Sequence, residues 1–256
     1  MLSRLVLGVA LAASLFAFGA GGPARADDAV LKVATEGAFE PFNYTDKDGK
    51  VEGFDIDLTD AILDKAGIKH EWIRQDWDGL IPGLLAGKFD AISASVSITD
   101  ERRKKVDFSD PIYRTSIRFV APNGTLTSEK PEDLAGKKLG AQRATIAASY
   151  LKDHYPNSDI QLYDTQDALR LDLTAGRIDA LLADQVAVSR GFLNKPEGAG
   201  FAFFGEPIKV GEGIAIVVPK GKDDLRKKLN AANAEVRQDG TFQKLSDKYF
   251  PGFDLR

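Results

Sequence analysis

The segment Leu84-Leu85-Ala86-Gly87-Lys88-Phe89-Asp90-Ala91-Ile92 returns later in the chain as Leu173-Thr174-Ala175-Gly176-Arg177-Ile178-Asp179-Ala180-Leu181. Each copy reads as the last turn of a helix, a glycine suited to the left-handed C′ position, a basic residue, and a short apolar strand opened by Asp-Ala. A chain that makes this joint twice is constrained to an α/β architecture with two comparable units. Ser95 lies eight residues beyond Gly87, and Asp184 eight residues beyond Gly176, so each unit sets a polar group at the carboxyl end of an equivalent strand. Open α/β sheets bind ligands at that end. Two lobes facing each other across a cleft are therefore expected.

The rest of the chain keeps the alternation of strand and helix that marks βαβ units and a mostly parallel sheet. Val30 to Thr35 reads as a strand and Asp46-Lys47-Asp48-Gly49 as a turn. Phe54 leads a helix whose apolar residues Leu58, Ala61, Ile62 and Ala66 share one face before Gly67 stops it; a second helix carries Leu80, Ile81, Leu84 and Leu85. After Pro122-Asn123-Gly124 the pattern restarts with a strand at Lys138 to Gly140 and a helix from Thr145 to Tyr155. A strand at Ile160 to Tyr163, a helix from Leu169 to Ala175 and a strand at Ile178 to Leu182 follow. The apolar runs Ser116 to Val120 and Gly213 to Val218 bracket this second set. They are read as paired connecting strands forming a hinge, which makes the second lobe an insertion in the first. The expected division is 27–116 with 214–256 for lobe 1 and 117–213 for lobe 2.

The first residues differ in character. Arg4 precedes an apolar run from Leu5 to Ala20, and Ala24-Arg25-Ala26 supplies the small residues that a signal peptidase reads. Residues 1–26 are expected to be a cleaved secretory signal, and the product to be exported. Removing Arg4 and Arg25 leaves 32 basic against 38 acidic residues, a net charge of −6, which argues against nucleic acid as a partner. The chain has no cysteine, so a disulfide framework, thiol catalysis and a lipid anchor on an N-terminal cysteine are excluded. No metal or cofactor is expected: the two histidines, His70 and His154, are far apart in sequence, and G-x-S-x-G and P-loop motifs do not occur.

Ser95-Val96-Ser97-Ile98-Thr99-Asp100-Glu101-Arg102 reads as a strand end running into an N-cap and first helical turn. An anion there would meet unpaired peptide donors and the positive end of a helix dipole, and Arg102 would add a fork shaped for a carboxylate.

These residues resemble the periplasmic amino-acid-binding proteins of ABC importers (solute-binding protein family 3), in the branch that includes lysine/arginine/ornithine, histidine, glutamine and opine receptors. The resemblance covers the whole chain after residue 26. It is carried by Ala34-Thr35-Glu36-Gly37 with Pro41-Phe42, Gly53-Phe54-Asp55-Ile56-Asp57-Leu58, Ile81-Pro82-Gly83-Leu84 and Ser97 to Arg102. Asp107-Phe108-Ser109, Asp172 to Ala180, Asp239-Gly240-Thr241 and Lys248-Tyr249-Phe250 extend it in order. It implies the two-lobed type II periplasmic-binding-protein fold, α/β lobes joined by two crossing strands, and a monomeric receptor that hands an amino acid to a membrane permease and performs no catalysis.

Carried over residue by residue, the resemblance gives Arg102 the ligand α-carboxylate, with Ser97 and the loop at Thr145 assisting. Asp184 would take the α-ammonium with the Ser95 carbonyl, Phe39 and Trp77 would sandwich the side chain, and Gln142 and Ala94 would line the same site. Glu36 is the expected partner of a distal positive charge, as on arginine, lysine, ornithine or an arginine-derived opine. The receptors compared often carry Asp at position 36, Tyr at 39 and a hydroxyl at 94, so a bulkier ligand or a guanidinium is expected here. The alternatives are a cyclohexadienyl dehydratase-like enzyme on the same fold and a receptor for glutamine or another polar amino acid.

Overall fold

The computed structural model describes residues 30–253 and 255; the expected signal segment, 1–26, lies outside them. In chain order, β1 (Leu31–Thr35), β2 (Ala38–Phe39), β3 (Asn43–Thr45) and β4 (Val51–Glu52) precede α1 (Phe54–Lys65). Then come β5 (His70–Arg74), α2 (Leu80–Leu85), β6 (Ala91–Ile92), α3 (Asp100–Arg103) and β7 (Asp107–Phe108). The second set is β8 (Ile117–Pro122), β9 (Lys138–Gln142), α4 (Ile146–His154), β10 (Asp159–Tyr163), α5 (Gln166–Thr174), β11 (Ala180–Asp184), α6 (Gln185–Val188) and β12 (Phe201–Ile208). The chain ends with β13 (Val217–Val218), α7 (Asp223–Gln238) and α8 (Thr241–Tyr249).

Two five-stranded sheets result, ordered β5-β1-β6-β13-β7 and β10-β9-β11-β8-β12, with β2-β3-β4 as a small meander on the first lobe. This is the expected two-lobed α/β fold. The sheets are less parallel than the alternation suggests. β1 runs parallel to β5 and β6, and β9 to β10 and β11, whereas β13 runs antiparallel to β6 and β7, and β8 antiparallel to β11 and β12. Each antiparallel half comes from the strands on either side of a passage between lobes.

The pairing expected between Ser116–Val120 and Gly213–Val218 is not formed. Ile117–Pro122 sits inside the second sheet between β11 and β12, and Val217–Val218 inside the first between β6 and β7. Both runs are covered on both faces and so read as continuous apolar stretches rather than as exposed linkers. The chain passes to the second sheet between Tyr113 and Ile117, and returns between Ile208 and the bridges that Ile214 makes to Ser97 and Tyr113.

The repeated joint behaves alike in both lobes. Gly87 and Gly176 have φ of 71° and 67°, and the peptide N–H of each closes its helix by donating to the carbonyl of Leu84 or Leu173. The aspartate that follows clamps register. Asp90 Oδ2 accepts the Lys32 peptide N–H at 2.9 Å while the Asp90 N–H donates to the Lys32 carbonyl; Asp179 Oδ2 accepts from Lys138 at 2.7 Å and its N–H donates back in the same way. β6 and β11 are thereby fixed against β1 and β9, and the residues after them arrive at the cleft in equivalent places.

Candidate functional site

A cleft of about 700 Å³, including its open mouth, runs between the lobes and is lined by Glu36, Phe39, Trp77, Ala94, Ser95, Ser97, Arg102, Gln142, Thr145 and Asp184. All ten residues singled out in the sequence are therefore brought together. They reach it from β1 and β2, from the single helical turn at Trp77, from the segment between β6 and α3, from the end of β9, and from the end of β11.

Arg102 projects from α3, which is only one turn long. Thr99 caps that turn by accepting the Arg102 peptide N–H at 3.2 Å, so the helix start offers less to an anion than the sequence implies, and the guanidinium carries the positive charge. Arg102 Nη1 donates to the Ser97 carbonyl at 2.8 Å, Nη2 donates to the Ala144 carbonyl of the other lobe at 2.9 Å, and the group lies 5.5 Å from the Trp77 ring centroid. Loss of hydration within the cleft wall pulls its pKa down to about 10, against the pull of Glu101, and it stays charged at neutral pH.

Asp184 ends β11 and caps α6: its Oδ1 accepts the peptide N–H groups of Val186 and Ala187, both at 2.9 Å. Desolvation raises its pKa to about 6, with Asp55 pushing the same way; these two bonds and the nearby Thr115 hydroxyl oppose it. Among the described residues, that hydroxyl has no hydrogen-bond partner of ordinary geometry. Glu36, 6% exposed directly after β1, accepts from Gln142 Nε2 at 2.8 Å. Burial lifts its pKa to about 7; Asp76 and Asp167 add to the rise, while the Gln142 bond and Arg74 hold it back. Among the described residues, none of Glu36, Arg102 and Asp184 forms an ion pair.

The aromatic walls are set differently. Phe39 stacks on Phe42 (5.5 Å between centroids, 17°), and Phe42 on Tyr113 (5.5 Å, 6°), so Phe39 is the half-buried outer tread of a buried stair. Trp77 lies against Arg102, and its buried Nε1 has no hydrogen-bond partner among the described residues. Ala94 contributes a methyl group and nothing polar.

Thr145 donates its hydroxyl to the Gln142 carbonyl at 2.7 Å and accepts from the Ala148 N–H at 3.2 Å, so its side chain is engaged in capping α4. Ser95 likewise turns its hydroxyl inward. It donates to Asp55 Oδ2 at 2.8 Å, alongside Asn43 Nδ2 at 2.8 Å, while the Tyr113 hydroxyl donates to Asp55 Oδ1 at 2.6 Å.

Ser95 and Ala144, with φ of 52° and 57°, are the two non-glycine residues of positive φ among those described. One belongs to each lobe and both border the cleft. Left-handed backbone of this kind costs of order 1–3 kcal/mol and persists where surrounding contacts enforce it; here Asp55 holds Ser95, and Ala144 offers its carbonyl to Arg102.

Sequence reasoning missed Asp55, Tyr113, Thr115 and Gln166. An acid between Phe54 and Ile56 at a helix start was a visible signal for Asp55, because an aspartate in apolar company needs donors. Nothing local marks the others.

The family model of bacterial extracellular solute-binding proteins, family 3, matches residues 31–252. The chain is 37% identical over 260 residues to the L-arginine-binding protein of Pseudomonas aeruginosa, covering 99% of this chain and 98% of the relative. It is 36% identical over 252 residues to the lysine/arginine/ornithine-binding periplasmic protein of Escherichia coli, covering 96% and 94%. Among solved structures, an ancestral arginine-binding protein bound to arginine superimposes with a TM-score of 0.80 at 37% identity, covering 86% of this chain and 98% of that one. An ancestral arginine-binding protein bound to glutamine gives 0.80 at 37%, covering 86% and 97%.

Proposed function

The chain belongs to the bacterial extracellular solute-binding proteins, family 3, and from that premise we propose that it captures a cationic L-amino acid, of the arginine, lysine or ornithine type or an arginine-derived opine. One observation carries this reading: three enclosed charges, Glu36, Arg102 and Asp184, line one cleft without an ion-pair partner of their own. An enclosed charge that no opposite charge meets is costly, and an opposite charge brought by a ligand relieves that cost. Two acids and one base call for a ligand with two positive groups and one negative, which is a cationic amino acid.

Arg102 then holds the α-carboxylate as a charged fork, Asp184 takes the α-ammonium, and Glu36 the distal cation, with Phe39 and Trp77 flanking the aliphatic stem. Arg102 and Glu36 belong to the first sheet's lobe and Asp184 to the second, so a bound ligand ties the lobes and biases them toward closure. The chain divides in this reading into lobe 1 (27–116 and 214–256) and lobe 2 (117–213). No helix of the described residues is long and apolar enough to cross a membrane; a periplasmic place accords with the name of the Escherichia coli relative, and in this reading the receptor is a monomer, exported by residues 1–26, that passes its cargo to an ABC permease.

Glu36 favours a second reading. A carboxyl group poised near pH 7 is suited to proton transfer, as a dehydratase of this fold requires. Thermal-shift screening of the protein lacking residues 1–26 separates the two. Largest stabilisation by a basic amino acid or an arginine-derived opine is expected; stabilisation by acidic or aliphatic amino acids alone overturns the charge argument, and turnover of prephenate or arogenate makes the enzyme primary.

A further inference from the structure

Gln142 does not meet Glu36 alone. Its Nε2 donates to Glu36 Oε1 at 2.8 Å and to the Asp164 carbonyl at 3.0 Å, while its Oε1 accepts from Gln166 Nε2 at 2.9 Å. Both glutamines are buried, at 2% and 6% exposure. A side-chain amide can be turned either way within the same outline, and the partners decide which way it lies. A carboxylate and a peptide carbonyl accept and do not donate, so the Gln142 nitrogen belongs on their side. Its oxygen must then face Gln166, which must present its nitrogen. The three side chains form a one-way relay from α5 through β9 to the far end of the cleft, crossing between lobes at the last step.

We propose that Gln166 is a positioning residue for ligand selection: together with the Asp164 carbonyl it fixes the Gln142 amide as a donor, which keeps Glu36 an acceptor with Oε1 occupied and leaves Oε2 to the ligand's distal cation. The inference deepens the proposed function and rests on it. A reversed Gln142 amide would set its oxygen against Glu36 and favour a protonated carboxyl, which no longer attracts a cation. Around the pair, Asp76 comes from the segment before Trp77, Asp167 from α5 and Arg74 from β5. The two acids disfavour the charged carboxylate and the arginine favours it, so the single Gln142 donor has weight in the balance.

The relay and simple electrostatics disagree about Gln166→Glu. Adding a negative charge beside the cleft should, by Coulomb attraction alone, tighten binding of a cationic ligand. In the relay, an ionised carboxylate at position 166 accepts instead of donating, turns Gln142 around and weakens binding.

The test measures Kd by calorimetry at pH 8 for arginine and for citrulline, its neutral isostere, in the wild-type protein and in Gln166→Glu and Gln166→Met. Wild type should prefer arginine, and both variants should reduce that preference by about tenfold or more, the scale of one lost bond to a charged group, with citrulline affinity little changed. Gln142→Met should lose as much, and the double variant Gln142→Met/Gln166→Met no more than either single one, since the residues act in series. An increased arginine preference in Gln166→Glu, an unchanged preference in Gln166→Met, or additive losses in the double variant would overturn the relay. If Gln166→Met does not fold, Gln166→Leu, which also lacks a donor, decides in its place. A wild-type protein that binds none of arginine, lysine, ornithine and an arginine-derived opine refutes the proposed function instead, which keeps the two failures apart.

Discussion

Arg102 donates from Nη2 to the Ala144 carbonyl, 2.9 Å away on the opposite lobe. The same guanidinium donates from Nη1 to Ser97 on its own lobe, so one cation is shared by the two walls of the cleft. The carbonyl it meets stands on a residue of positive φ. Removing this group leaves the ligand carboxylate enclosed without a counter-charge, a loss of about 3–5 kcal/mol. Arg102→Ala should therefore bind no α-amino acid measurably in a calorimetric titration. Arg102→Lys should not restore binding, because an ammonium cannot serve two walls and a carboxylate with a planar fork. Retained affinity in Arg102→Ala would show that the carboxylate is held elsewhere.

Glu36→Gln should act selectively. It keeps the volume and a partner for Gln142 but removes the negative charge, so arginine and lysine should weaken by about 2 kcal/mol or more while glutamine binding survives. The ligand-free protein should melt higher, because a desolvated carboxylate has been neutralised. Equal loss for charged and neutral ligands, measured in parallel titrations, would contradict the distal role.

The pH dependence has opposite signs with and without ligand. Glu36 and Asp184 have folded pKa values near 7 and 6, above their ordinary values. Each folded carboxyl thus holds its proton more tightly than the unfolded one, and its contribution to stability is fully present below about pH 4, is lost progressively as pH rises, and is gone above about 6 for Asp184 and 7 for Glu36. A cationic ligand needs both groups ionised, so its affinity should be flat above about pH 7.5 and fall by about tenfold per unit below 7, more steeply below 6. Melting curves from pH 5 to 8 should show the ligand-free Tm falling while the increment from arginine grows.

Tyr113→Phe tests the support beneath Ser95. The lost hydroxyl donates at 2.6 Å to Asp55, a fully buried carboxylate whose pKa burial raises. About 1.5–3 kcal/mol of stability should go with it, read by urea denaturation. Ligand affinity should also fall, since Ser95 depends on Asp55 for its left-handed backbone. Unchanged stability would mean that Asp55 is served by its other donors.

Much of the frame was legible because its signals are local. The two Gly-basic-apolar-Asp-Ala joints are written in nine residues each, and the caps Thr99 and Thr145 precede helices that begin close to where expected, while α5 begins at Gln166, three residues before the expected Leu169. The antiparallel placement of Val217–Val218 was not legible, because it depends on partners at Ile92 and Phe108 far along the chain. The same holds inside the cleft. The ten residues taken from the sequence all line it, but Glu36 and Gln142 are 106 residues apart, and nothing near either one announces their bond. Asp55 was visible as an acid among apolar neighbours, while its partners Ser95 and Tyr113 lie 40 and 58 residues away.

The charge pattern of the cleft is the centre of the account, and it is tested most directly by calorimetric titration of the protein lacking residues 1–26 with arginine, citrulline and glutamate at pH 8. The predicted order is arginine tightest, citrulline weaker, and glutamate without measurable binding. Glutamate binding as tightly as arginine, or citrulline equal to it, would contradict a cleft built to receive two positive groups and one negative.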